Sequence, residues 1–405
     1  MSGRRLSILI ALLCTGLWAA AISFSHWSGH LRLLERFESG LTDLRTLARG
    51  ATTPPDVVTI VAIDDNVVKL GGTYPLPRAE VAAIVEAIAR FEPKMIAIDL
   101  LLVDKGPADG DAALAKALSA RPAVLAAAAV FPDVVQPSAD HDEPLARLPT
   151  ADRFLLPLPA FADHAEVGIA NVTTGQTGTP LAVPMLFRTR DKIELSFPLR
   201  VASVVVGQPL TIAPDRLLFG DRPIATASGY ALPISYYGPR RTIRTVSAAN
   251  VVDGQVDRDA IRGRIVVLGA TATGAGDFFP TPFDSLMPGV EIISTAITHL
   301  VAGDGVVRDR RGGIVEGGTT RLLPRRLGGP LPPRRDPPGL VAVTAVVLIW
   351  AAANVIAFAH GIWLDAAPTI TATAPPLILF GAVQLWSGRR RAQHFARQNR
   401  LLEQF

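Results

Sequence analysis

Cysteine is almost absent from this sequence. Among its 405 residues there is one, Cys14, which lies in an apolar stretch near the N-terminus. An internal disulfide is therefore excluded, and the rest of the chain has no thiolate for catalysis or metal binding. A domain of the size that this length allows is stable without disulfides, so their lack does not argue against an exported location.

Signatures of the common enzyme classes are missing as well. No Gly-x-Ser-x-Gly motif marks a nucleophilic serine. The loop GATATGAG (269–276) follows a predicted strand, but it lacks the Gly-Lys-Ser/Thr ending of a nucleotide-binding loop and does not match the dinucleotide fingerprint. We therefore predict that the chain is not an enzyme and that it uses neither a cofactor nor a metal.

A large excess of charge of one sign is also lacking, since the formal net charge is +4. Basic residues cluster beside apolar stretches, at Arg4 and Arg5, at 308–335 and at 389–400. Between these clusters acids and bases are mixed and form no basic face with interleaved aromatic residues. This distribution excludes nucleic acid as a partner and is typical of segments that flank membrane helices.

Long apolar runs are present, at the two ends of the chain. Residues 6–24 carry no charge and follow Arg4 and Arg5, which predicts a transmembrane anchor over residues 1–27 with its N-terminus in the cytoplasm. A cleaved signal peptide is the alternative. Two further apolar stretches predict two transmembrane helices within 339–386, the second of them kinked by its prolines.

The tail at 387–405 is strongly basic, which favours the cytoplasm, yet three spans would leave it outside. A fourth transmembrane helix would place the tail in the cytoplasm. The Arg-, Pro- and Gly-rich stretch 309–338 lies where such a helix would be expected. We hypothesise that compensating frameshifts replaced a helix there, and that another removed a domain after Phe405. A genuine basic linker on anionic lipid is the alternative for 309–338.

Between these ends, residues 28–308 have the pattern of a folded α/β domain. Short apolar runs at 57–63, 95–102 and 123–130, the first of them β-branched, alternate with stretches of helical spacing. This order predicts a mostly parallel sheet with helices on both faces. Shorter strands and hairpins follow, as in a mixed or antiparallel insertion. We expect the strand at 264–269 and the helix after it to rejoin the opening sheet. The whole is an α/β fold flanked by transmembrane helices.

Acidic residues stand where the predicted strands end. Asp64 and Asp65 end the first strand, Asp99 the second, and Asp277 follows the last, while Arg78 lies on a neighbouring loop. Because ligands of open α/β sheets bind outside the carboxyl ends of the strands, we expect these five residues in one ligand-binding crevice for a cation, an amine or a polar small molecule. Alternatively, the aspartates cap helices or turns and Arg78 pairs with one of them.

Six segments occur in a characteristic order: IVAIDD (60–65), YPLPR (74–78), PKMIAIDLLL (93–102), ISYYGP (234–239), RIVVLGATATGAGDFFPTPF (264–283) and MPGVEI (287–292). Together they resemble the second class of the CHASE sensory family, the extracellular domains of bacterial cyclases, histidine kinases and diguanylate-cyclase-type receptors. Relatives of this kind usually carry three helices and a cytoplasmic output domain after the sensor. Here only two such helices are legible, and no output domain is recognisable.

The resemblance implies a bacterial receptor of the inner (plasma) membrane, multi-pass, whose main domain is periplasmic or extracellular. Its partners are then an unknown small-molecule or ionic stimulus and membrane lipid, with a homodimer and a separate output protein as further candidates. Two alternatives remain open. One is a membrane-tethered extracytoplasmic enzyme that uses paired acids, and the other is a truncated receptor remnant that no longer signals.

Overall fold

The computed structural model describes residues 32–132, 145, 148–174, 178–190, 192–214, 216–308, 352–360 and 362–363. The predicted anchor at 1–27, the linker at 309–338 and the basic tail at 387–405 lie outside these ranges, as does most of 339–386. No helix in the described ranges is both long enough and apolar enough to span a bilayer. The chain divides into two compact units, one of which comprises Asp43–Arg308 with Val355–Trp363. The central sheet and the sites described below belong to that unit, whereas the helices at Arg32–Arg49 and 352–359 also include residues of the other unit.

The helices of the described ranges are numbered in chain order: α1 Arg32–Arg49, α2 Asp65–Gly71, α3 Arg78–Arg90, α4 Ala108–Leu118, α5 Pro159–Ala162, α6 Phe197–Val206, α7 Ala248–Val252, α8 Gly289–Ala302 and α9 at 352–359. Single 3₁₀ turns occur at Ser228–Tyr230 and Arg258–Ala260.

The strands are β1 Val58–Ile63, β2 Met95–Asp99, β3 Ala123–Val130, β4 Arg153–Leu155, β5 Glu166–Ile169, β6 Ala182–Pro184, β7 Leu186–Arg188, β8 Ile193–Leu195, β9 Leu210–Ala213, β10 Arg216–Phe219, β11 Arg222–Ile224, β12 Ala231–Pro233, β13 Thr245–Ser247, β14 Ile265–Ala270, β15 Phe278–Phe279, β16 Met287–Pro288, β17 Val307–Arg308 and β18 Ile362–Trp363.

The central sheet is mostly parallel, as predicted. Strands β13, β1, β14, β2, β3 and β5 lie side by side in this order, each parallel to its neighbour, while β4 pairs antiparallel with the end of β3. β14 rejoins the opening sheet between β1 and β2, which places Val267 opposite both Ile60 and Ala97. The prediction for this strand is therefore confirmed.

Helices cover both faces of the sheet, because alternate side chains of a strand point to opposite faces. Val61 is buried on one face with Ile84 of α3, and Ile60 is buried on the other with Val201 of α6 and Ile297 of α8. Each fully buried side chain of this kind contributes roughly 1.5–3 kcal/mol to stability. The core therefore consists of two apolar layers with the sheet between them.

The predicted antiparallel insertion is also present. It contains the sheet β9–β10–β11 and the ribbons β6–β12 and β7–β8, whose apolar side chains pack against the outer sides of α6 and α8. α8 is consequently covered on both sides, and every residue from Val290 to Leu300 is buried. Its two threonines satisfy their hydroxyls within the helix, Thr295 at the carbonyl of Glu291 and Thr298 at that of Ser294, both at 2.8 Å.

Candidate functional site

A cleft opens at the carboxyl edge of the parallel sheet, where β1, β2, β3 and β14 end. Its volume is about 390 Å³, within the range of small-molecule sites. The ends of β2 and β14 contribute Asp99 and Ala270, and the first two turns of α8 contribute Gly289, Val290 and Ile293. This is the position at which an open α/β sheet presents a ligand site.

Two carboxylates line this cleft. Asp99, the last residue of β2, is partly buried, while Asp277 is exposed after the Gly-rich loop. Burial, and then the negative charge of Asp277, raise the pKa of Asp99 to about 7. Asp99 therefore exchanges its proton near neutral pH, and a cation bound between the two carboxylates would favour its ionised form.

Tyr74 and Arg78 reach the cleft from the loop between α2 and α3. Burial, and then the charges of Asp99 and Asp277, raise the pKa of Tyr74, so its hydroxyl stays protonated and can donate a hydrogen bond. Arg78, the first residue of α3, is already engaged. Its Nε lies 3.7 Å from Asp111 Oδ1, and its Nη2 donates to the carbonyl of Asp104 at 3.2 Å.

The other two predicted site residues do not line the cleft. Asp64 is the N-cap of α2, where its carboxylate accepts from the amide of Val67 at 3.0 Å. Asp65 is exposed and accepts from the amide of Thr273 at 2.9 Å, which holds the Gly-rich loop in place. The structure thus places Arg78, Asp99 and Asp277 in one lining and gives Asp64 and Asp65 contacts outside it. An aspartate at the end of a strand can cap a helix as readily as it can contact a ligand. The sequence pattern alone does not distinguish these two roles.

The Gly-rich loop forms an ordinary turn. Its Ala275 amide donates to the carbonyl of Ala272 at 3.0 Å, and Gly274 has a positive φ of 78°, a conformation that glycine adopts without strain. The amide of Gly289 donates to the carbonyl of Asp277 at 2.8 Å, so the loop is fastened to the start of α8. Asp277, which directly follows the loop, is held by this hydrogen bond beside the first turn of α8.

Asn171 and Phe279 also line the cleft, and the sequence pattern does not predict either of them as a site residue. Asn171 follows β5 and pairs with both backbone groups of Ala129: its Oδ1 accepts at 2.6 Å and its Nδ2 donates at 3.0 Å. It therefore prolongs the sheet at the floor of the site. No local signal distinguishes this asparagine from a turn residue, because its partner lies 42 residues earlier in the chain.

Within the described ranges, no three histidine, cysteine, aspartate or glutamate side chains come together to form a candidate metal site. The cleft thus offers a pair of acids, a phenol hydroxyl, aromatic rings and apolar walls. These features define an α/β domain with a polar cleft at the edge of its sheet.

Comparison with protein families identifies this domain. The model of the CHASE2 domain family matches residues 11–316, and the chain belongs to this family. Its members are sensory extracellular domains of bacterial signalling proteins and are not catalytic. The resemblance seen in the sequence is therefore confirmed, and family membership favours a sensor over the alternative of a tethered enzyme. Comparison with curated proteins and with solved structures found no match in either case.

Proposed function

We propose that the chain is a membrane-anchored extracytoplasmic sensor that binds a small organic cation in the cleft and relays binding through its membrane helices. The observation that carries the proposal is the pair Asp99 and Asp277 at the carboxyl edge of the sheet, in a cleft of about 390 Å³. Membership of a sensory family supports the receptor role.

The charge of the lining favours a cation. Among the described residues, the lining contains two acids, Asp99 and Asp277, and one base, Arg78. Arg78 has its own carboxylate partner in Asp111. A ligand between the two acids therefore meets net negative charge. An anionic ligand would have to overcome both carboxylates.

The walls favour a cation with an apolar body. Val172, Val290 and Ile293 supply aliphatic surface, and Tyr74 and Phe279 supply aromatic rings. Aromatic faces attract an ammonium group while tolerating its methyl or alkyl substituents. A bare metal ion would leave most of this surface unused, so an alkylammonium or quaternary ammonium compound matches the lining better.

The first test uses the full-length protein in detergent micelles at pH 8, with tetramethylammonium as the probe. Isothermal titration and thermal melts should show binding and stabilisation, whereas sodium at equal ionic strength and neutral tert-butanol should give neither. Asp277→Asn should weaken binding roughly fivefold, the worth of a partly exposed charge pair.

The control is Asp253→Asn, which removes an exposed carboxylate at the end of α7 and should leave the affinity unchanged. Equal binding of tetramethylammonium and tert-butanol would mean that the cleft does not select for charge. No binding of any cation, including longer alkylammonium ions, would reject the proposed ligand class.

A further inference from the structure

A second group of polar side chains lies at the C-terminal end of α8, the end opposite the cleft. It consists of Arg49, Ser235, Tyr237, His299 and Asp304, and is called the junction here. His299, in the last turn of α8, is buried, with its side chain 1% exposed. The junction takes no part in lining the cleft, so the ligand proposal leaves it unexplained.

His299 is held on both sides of its ring. Its Nδ1 lies 2.8 Å from Asp304 Oδ1, and its Nε2 lies 3.2 Å from the carbonyl oxygen and 3.3 Å from the amide nitrogen of Ser235. Asp304 Oδ2 also accepts from the hydroxyl of Tyr237 at 2.7 Å. The end of α8 is thereby fixed to segment 235–237 by side-chain and backbone bonds together.

The same segment holds the end of α1. Arg49, the last residue of α1, donates from Nη1 to the hydroxyl of Ser235 and from Nη2 to the carbonyl of Tyr236, the latter at 2.5 Å. Its guanidinium also lies 5.7 Å from the ring centre of Phe358. α1 and α8 therefore share one point of attachment, although Arg49 and His299 are far apart in the sequence.

The Arg49 contacts leave one donor unmet. Within the described part of the chain, its buried Nε has no hydrogen-bond partner. A buried donor without a partner is costly, so the junction is not fully satisfied in this arrangement.

α8 connects this junction to the cleft. Gly289, Val290 and Ile293 line the cleft at one end of the helix, and His299 belongs to the junction at the other. A helix of 14 residues is about 21 Å long. Because α8 is packed on both sides, a displacement of its first turn cannot be absorbed by fraying and is carried along the helix.

The contact between β14 and the first turn of α8 is very close. A Cβ atom added at Gly269 would stand 2.6 Å from Val290 Cγ2, closer than two carbons can approach. Gly269 has an ordinary backbone conformation, so the constraint is one of space. The position of α8 is therefore sensitive to added volume at Gly269, near the end of β14.

We propose that α8 couples the cleft to α1, so that a shift of Gly289, Val290 and Ile293 is passed by His299 and segment 235–237 to Arg49. The role of this coupling in signalling rests on the proposed function, since it assumes that the cleft holds the stimulus. The mechanical link itself can be tested without any ligand. In sequence, α1 follows the predicted anchor at 1–27, which makes it the path towards the membrane.

The test is hydrogen exchange measured by mass spectrometry on the full-length protein in micelles. Gly269→Ala acts as a wedge against Val290. It should speed exchange of the peptide containing residues 43–49 roughly fivefold or more, the usual size of a coupling between sites. The double variant Gly269→Ala/Val290→Ala restores the space and should return exchange to near the parent rate. α4, on the other face of the sheet, reports general loosening and should not change.

A second experiment perturbs the junction instead of the cleft. Its result does not require Gly269→Ala to fold. Arg49→Met should speed exchange at 289–293, the end of α8 that lines the cleft, because coupling is reciprocal. The matched control is Arg258→Met, which removes an exposed arginine that pairs with Glu92. It should leave 289–293 unchanged.

The outcomes for the two proposals are separable. If tetramethylammonium fails to bind but Gly269→Ala and Arg49→Met act at a distance, the ligand class is wrong and the coupling stands. If tetramethylammonium binds while Arg49→Met changes exchange only near residue 49, the coupling through α8 is wrong. Equal loosening of α4 in either variant would also overturn it, because general destabilisation would then explain the effect.

Discussion

Asp99 stands at the end of a buried strand with a second carboxylate nearby. Burial and the charge of Asp277 both disfavour its ionised form and raise its pKa to about 7, from an ordinary value of 3.8. The folded protein therefore holds this proton more tightly than the unfolded chain between about pH 4 and pH 7. Over that window the free energy of unfolding falls as pH rises, and the loss is complete above pH 7.

Asp99→Asn removes this loss because an amide does not ionise. At pH 8 the variant should melt roughly 8–16 °C higher than the parent, and the difference should shrink towards zero at pH 4. Calorimetry on the full-length protein at both values of pH measures it. Asp253→Asn provides the exposed control and should shift neither melt. A constant difference between Asp99→Asn and the parent at both pH values would show that ionisation of Asp99 is not its cause.

The ionisation of Asp99 should also make the affinity for tetramethylammonium depend on pH. Protonation removes one of the two charges that attract a cation, so tetramethylammonium should bind more weakly at pH 5.5 than at pH 8. Binding to Asp99→Asn should be weak and independent of pH over this range. Titrations of the two proteins at both pH values decide the point. A parent affinity that does not change with pH would assign the attraction to Asp277 alone.

At the scale of single elements, α2 shows how a strand-end aspartate serves a helix rather than a ligand. Asp64 caps α2 through the amide of Val67, and a lost cap costs about 1 kcal/mol. Asp64→Ala should therefore lower the melting temperature by roughly 2–4 °C and leave the affinity for tetramethylammonium unchanged. Asp64→Asn keeps a capping oxygen and should resemble the parent. If Asp64→Ala lost binding of tetramethylammonium while melting at the parent temperature, Asp64 would belong to the ligand-binding residues.

α8 shows how tertiary contacts can bury a charged residue of a helix. Glu291 is buried at 5% exposure, and its carboxylate accepts from the backbone amides of Arg241 and Ile243. Burial raises the pKa of Glu291, and the hydrogen bonds from the Arg241 and Ile243 amides oppose that effect. The family segments ISYYGP and MPGVEI are thus joined in space: the turn that follows the first is held by the second.

At the scale of the whole molecule, the main unit is formed by two separate stretches of chain, Asp43–Arg308 and Val355–Trp363. The second adds β18 beside β17 and buries Phe358 against Val306 and Leu181. We expect residues 28–308 to fold without it, because both apolar layers of the sheet lie within that range.

Fragment 28–308 should give an α/β circular dichroism spectrum and a cooperative melt. The same fragment with residues 355–363 attached through a flexible linker should melt roughly 3–8 °C higher, since it buries Phe358. Phe358→Ala in the linked fragment is the control and should remove the gain. A fragment 28–308 that aggregates without any cooperative transition would contradict its independence.

The sequence by itself determined the family, the parallel sheet, the helices on its faces and the edge at which polar residues gather. These properties follow from local patterns: β-branched runs such as 57–63, helical spacing in α3, and acids at strand ends. The return of the last strand to the opening sheet was also foreseeable from its buried character, but its place between β1 and β2 was not, since many strand orders share one pattern.

Tertiary structure alone decided which acids share a cleft and which residues fasten α1 to α8. Asp64 follows one buried strand and Asp99 ends another. Asp64 accepts from an amide three residues away, whereas Asp99 is close enough to Asp277 for its negative charge to raise the pKa of Asp99. The bonds of Arg49 to Ser235 and Tyr236 span 186 and 187 residues. Such contacts depend on long-range packing, which places side chains together irrespective of their local sequence, and so no spacing rule predicts them.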